Sequence, residues 1–121
     1  MLEEPEMGPT RPDDGAAVLV VLNVLPVMED LVADWLLTHE GVRGVGFTTM
    51  SVGGHSARLQ GLTPAEQVSG RRRRVQFEVV LGARTADVML AALAREFADA
   101  DIHYWITPVL RSGRLGDADR A

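Results

Sequence analysis

The 121-residue chain contains no cysteine and no lysine. Lack of cysteine excludes a disulfide framework, a thiolate metal site and a cysteine nucleophile. Lack of lysine excludes Schiff-base chemistry and the lysine of a phosphate-binding loop. Aromatic residues are scarce, at 5% of the chain. No apolar run reaches the roughly 20 residues that a helix needs to cross a bilayer. Positive charge is outweighed, with a formal net charge of -5, so the overall basic footprint of a nucleic-acid binder is missing. The basic and then apolar start of a secretory signal is missing too. Residues 1–15 are instead acidic and proline-rich and read as a disordered leader, and a cytoplasmic location is expected.

What is present is a hydrophobic fraction of 46%, enough for one packed core. Residues 17–25 form a continuous β-rich run ended by Pro26, the pattern of a strand buried on both faces. A helix is expected over 27–39, with Met28, Leu31, Val32, Trp35 and Leu36 as its apolar stripe and Gly41 as its stop. Residues 42–51 read as a second strand weakened by Gly44 and Gly46. A long connection follows over 52–71. Within it, Thr63-Pro64-Ala65-Glu66 is a capping box that predicts a short helix at 64–69, closed by Gly70.

Val75, Phe77, Val79 and Leu81 alternate with more polar neighbours and predict a third strand over 72–81. A second helix is expected over 85–97, with Thr85 as N-cap and Ala86, Met89, Leu90, Leu93 and Phe97 buried. The fourth strand spans about 101–109, and residues 110–121 read as a mobile tail. The order β-α-β-β-α-β predicts a ferredoxin-like α+β fold, an antiparallel sheet with two helices on one face. Strands one and four are apolar on both sides. Their second face is therefore expected to be covered by further copies of the chain, because wet valine and leucine side chains forfeit several kcal/mol, at about 25 cal/mol per Å².

Arg71-Arg72-Arg73-Arg74 is the sharpest local feature, since arginine forks suit phosphate or carboxylate. The same run also serves as a solvated charge cluster. His55, in Gly53-Gly54-His55-Ser56, sits on a glycine hinge and is a weak candidate metal ligand. His39 belongs to the end of helix one, and His103 to an interface. Met28, Met50 and Met89 are placed in the core. There is no Gly-x-Ser-x-Gly, no convincing carboxylate pair and no dinucleotide fingerprint, so the chain reads as a binding protein and not as an enzyme.

The segments Val32-Ala33-Asp34-Trp35-Leu36-Leu37, Gly44-Val45-Gly46-Phe47-Thr48 and Gly54-His55 form one recurring pattern. It continues through Glu66-Gln67-Val68-Ser69-Gly70-Arg71 with Arg74, His103-Tyr104-Trp105 and Ser112-Gly113-Arg114-Leu115. This pattern resembles the PII-like signalling proteins. More closely, it resembles a domain-of-unknown-function family among them that is associated with heavy-metal efflux systems. The resemblance implies a homotrimer with inward-facing sheets. It implies a partner-engaging loop carrying His55, Arg58, Glu66 and Gln67. It also implies clefts between subunits that take a small anionic ligand such as an adenine nucleotide. Gly44, Gly46, Phe47, Arg71, Arg72, Arg74, Arg111 and Arg114 would line those clefts. The implied partner is a membrane efflux or transport protein. One departure bears on the ligand: the glycine-rich phosphate loop of nucleotide-binding relatives is replaced by Ala98-Asp99-Ala100. ATP is thereby disfavoured against ADP, AMP, a cyclic nucleotide or another anion. A second reading is a divalent-metal-binding protein of heavy-metal homeostasis that uses His55 with Asp99 or Asp101, and a third, ranked last, is a cofactor-free monooxygenase.

Overall fold

The computed structural model describes residues 14–55, 66 and 71–117. Strand β1 (Ala17–Val24) leads through a 3-10 turn (Pro26–Met28) into helix α1 (Glu29–Thr38). Strands β2 (Thr48–His55) and β3 (Arg71–Gly82) follow, then helix α2 (Ala83–Glu96) and strand β4 (His103–Pro108). The sheet order is β2-β3-β1-β4, and every neighbouring pair is antiparallel. This is the expected ferredoxin-like βαββαβ arrangement.

The cross-strand register assigns each side chain to a face. Val20 lies between Val79 and Ile106, and Leu22 between Phe77 and Tyr104. These residues face the helices. Phe77, Leu22, Leu36, Leu81, Met89 and Val32 are fully buried and form one core with Val20, Val24, Val42 and Ala86. Each valine, leucine, methionine or phenylalanine among them contributes about 1.5–3 kcal/mol on leaving water. The opposite face carries Leu19, Val21 and Asn23 of β1, Thr107, Trp105 and His103 of β4, and Val80, Glu78, Gln76, Arg74 and Arg72 of β3. No helix among the described residues covers it.

Several expectations are corrected. Strand β2 begins at Thr48 and not at 42. Residues 42–46 continue in turns, with the amides of Val42 and Arg43 both donating to the His39 carbonyl and that of Gly46 to the Val42 carbonyl. Gly46 sits at φ +82°, a left-handed conformation that glycine adopts without penalty. The turn drives Val42 into the core. At its other end β2 runs through Gly53 and Gly54 to His55, paired opposite Arg71. The ladder thus takes both ends of the expected 52–71 connection, and His55 closes a strand where a hinge was expected. The predicted helix at 64–69 lies outside the described residues except for Glu66.

Within α1, Val32 and Leu36 are buried, whereas Leu31 is exposed. His39 lies just past the helix with its ring stacked on Trp35, centroids 4.7 Å apart. Met50 is exposed on the helix-free face, not buried in the core.

Helix α2 begins two residues early, capped by Gly82, so Thr85 is not its N-cap. The cap side chain comes from the start of the chain: Asp14 accepts from the Thr85 amide (3.1 Å) and hydroxyl (2.7 Å). A Cβ at position 82 would collide with the Asp14 carboxylate, which accounts for glycine there. Asp14 and Gly15 are therefore anchored, while the rest of the expected leader lies outside the described residues. Replacing Asp14 with Ala should cost about 1 kcal/mol, the usual worth of an N-terminal cap. A urea midpoint unchanged in Asp14→Ala would show that the cap is idle.

Candidate functional site

Alternation in β3 sends Arg72 and Arg74 to the helix-free face, and Arg73 to the other. Arg74 is only 6% exposed. A buried guanidinium needs its donors paired. Here Nε donates to the Asn23 side-chain oxygen and Nη2 to the backbone carbonyls of Asn23 and Asp101, each at 2.9 Å. Nη1 faces Oδ2 of Asp101 at 3.4 Å. Arg74 thus fastens the α2–β4 connection to the centre of the sheet. Burial lowers the pKa of Arg74, with Asp101 pulling it back up and Arg72 pushing it further down.

Asp101 gathers further charge. Its Oδ2 lies 3.9 Å from Nη2 of Arg72, and its Oδ1 3.1 Å from Nε2 of His103. Burial works to raise the pKa of its carboxyl. The hydrogen bond and charge of His103 and the charge of Arg74 outweigh that and hold the group below its ordinary range. A depressed carboxyl contributes stability that is present above the unfolded value and is lost as pH falls through the folded one. The stability advantage of the native chain over Asp101→Asn should therefore be full above about pH 4 and shrink on further acidification. Urea titrations of both proteins between pH 5 and pH 3 that stay parallel would refute this.

Next to this cluster, Leu25, Pro26, Val27, Glu29, Ser51, Val52, Glu66, Arg72 and Arg73 border a cleft of about 570 Å³ at the base of the β2–β3 hairpin. Oε2 of Glu66 accepts the Arg73 amide proton at 2.7 Å, so this side chain docks back onto the strand. The cleft offers arginine beside two carboxylates, an amphoteric lining.

The other expected site residues distribute as follows. The Phe47 ring packs against Phe77, 5.6 Å between centroids, and belongs to the core margin. Gly44 and Gly46 lie in the turn before β2. Arg71 opens β3 opposite His55. Arg111 and Arg114 are exposed on the segment after β4. Arg58 and Gln67 lie outside the described residues. Among the described side chains of the expected ligand set, Arg72 and Arg74 come together around one group, Asp101. Sequence reasoning missed Asn23 and the pairing of Asp101 with Arg72, Arg74 and His103. A lone asparagine in an apolar strand was the available signal, since a buried amide requires a partner. Among the described residues, no three of His, Asp and Glu group as metal ligands, and no helix is long and apolar enough to cross a membrane.

Comparison with known proteins places this geometry in context. The model of a family described as a protein of unknown function, DUF3240, matches residues 15–116. A DUF3240 family protein from Shewanella baltica superposes with a TM-score of 0.67 at 25% identity, covering 84% of this chain and 99% of that one. A candidate PII-like signalling protein from Thermus thermophilus gives a TM-score of 0.50 at 16% identity, covering 78% of this chain and 88% of that one. That second likeness shows the fold. No curated protein matches.

Proposed function

Because this chain belongs to the DUF3240 family and has the PII-like fold, we propose that it is a regulatory binding protein that assembles as a trimer through the helix-free face of its sheet and takes a small anionic ligand beside Arg72. The observation that carries the reading is the composition of that face. It carries Leu19, Val21, Val80 and Trp105 around Glu78 and Gln76, and gathers Arg72, Arg74 and His103 at one end. An open sheet face exposed to water is normally polar. Here Trp105 and Met50 each remain 43% exposed in the single chain. A second copy supplies the missing cover, and assembly brings the cationic ends of several sheets to shared clefts. Arginine next to carboxylates favours a ligand with an anionic group and hydrogen-bond donors, as in a nucleoside monophosphate or diphosphate. In this reading the regulated partner is a heavy-metal efflux complex, an assignment supported by the family resemblance alone.

Light scattering joined to calorimetry tests the proposal. The expected result is a particle of three 13.1 kDa chains that binds at least one member of a nucleotide and anion panel. An intact trimer that binds nothing at millimolar ligand would remove the ligand half, and a well-folded single chain at micromolar concentration would remove both.

A further inference from the structure

Two arginines and a histidine converge on one carboxylate. Asp101 is approached by Arg74 at 3.4 Å, Arg72 at 3.9 Å and His103 at 3.1 Å. The arginines come from β3, the histidine from β4, and the carboxylate from the connection after α2. Holding that connection needs one arginine, and Arg74 already does it through the Asp101 carbonyl and Asn23. Arg72 adds positive charge and His103 a ring nitrogen around the same oxygens, both staying partly open to solvent. Two guanidinium groups and an imidazole around a pair of oxygens form the donor set that recognises a phosphate or carboxylate oxyanion.

We propose that the Asp101 carboxylate is a built-in occupant of an oxyanion site formed by Arg72, Arg74 and His103, and that the anionic ligand enters by displacing it. The inference rests on the ligand-binding reading above and specifies the chemistry of that site. Two features permit the exchange. The Asp101 side chain is 48% exposed, so it can swing into water without crossing the core. Arg74 retains Asn23 and the Asp101 carbonyl when the carboxylate leaves, so the β1–β3 frame stays in place. Asp101 also borders an apolar groove with Leu90, Leu93, Phe97 and Tyr104, between α2 and β4. Displacing the carboxylate changes the mouth of that groove and carries ligand occupancy to a second surface.

Two variants probe the occupant. Asp101→Asn keeps the shape without the charge. Asp101→Gly removes the side chain and suits the left-handed backbone at this position, φ +56°. Calorimetry with inorganic phosphate, and separately with succinate, is run on the native chain, both variants and the double variant Arg72→Ala/Asp101→Gly. Both single variants should bind one of these anions at least about tenfold more tightly than the native chain, with the gain lost in the double variant. Phosphate or succinate as the tighter probe tells which class of anion the site takes. Folded single variants with no gain overturn the inference, as does unfolding of both, which would make the carboxylate purely structural. If no gain appears while the native trimer still binds its panel ligand, the displacement idea alone fails. If the gain appears and the native chain binds nothing from the panel, the site stands and the proposed native ligand falls.

Discussion

Trp105→Glu should convert the proposed trimer into single folded chains. Trp105 lies on β4 opposite Val21, at the centre of the helix-free face, and Glu78 flanks Val21 from the other side. Across a subunit interface a buried tryptophan is a typical anchor, and truncating such a residue costs about 2 kcal/mol or more. The glutamate adds a further cost. It places a second carboxylate two strands, roughly 10 Å, from Glu78, and assembly would remove both from water. Inside one chain the same substitution is mild, because Trp105 is already substantially exposed there. Exposed positions ordinarily change stability by no more than about 0.5 kcal/mol. Light scattering should thus give the single-chain mass, while circular dichroism keeps the native signal. A variant that stays trimeric, or one that loses its fold together with its assembly, would show that the face is used otherwise.

Arg74→Ala should cost about 2–4 kcal/mol. The substitution leaves the Asn23 side chain and two backbone carbonyls without their donor, and each buried unpaired group costs about 1–3 kcal/mol. Water entering the vacated space recovers part of this, and Asp101 is open enough to be solvated, which keeps the total below the sum of the parts. Arg74→Lys should recover only a fraction. One ammonium cannot reproduce a planar fork that reaches Asn23 and Asp101 together. A urea midpoint for Arg74→Ala within experimental error of the native chain would refute the pinning role. The prediction also separates this arginine from Arg72, whose removal should leave stability nearly unchanged while weakening anion binding.

Helical and strand periodicities were readable residue by residue. The alternation of Val75, Phe77, Val79 and Leu81 placed β3 and its buried side. The β-rich run at 17–25 placed a strand apolar on both faces, and the spacing of Ala86, Met89 and Leu93 placed the inner stripe of α2. Where glycine interrupts the pattern, periodicity failed. Residues 42–47 looked extended but turn, and Gly53-Gly54 looked like a hinge but pair with Arg73 and Arg72. Glycine has no side chain to reveal which face it lies on, so its conformation follows from what pairs with it.

The chain's local patterns therefore settled the order of elements, the antiparallel ferredoxin-like plan and the surplus of apolar surface on one face. These follow from interactions between near neighbours, which repeat at the period of a helix or strand. The long-range contacts, those of the candidate site among them, did not follow. Asp14 reaching Thr85 across 71 residues, Arg74 meeting Asn23 across 51, and Asp101 gathering Arg72, Arg74 and His103 all depend on which strands lie side by side. Charge partners carry no periodic signal, and a carboxylate reads as repelling or as pairing according to the cations that folding brings beside it.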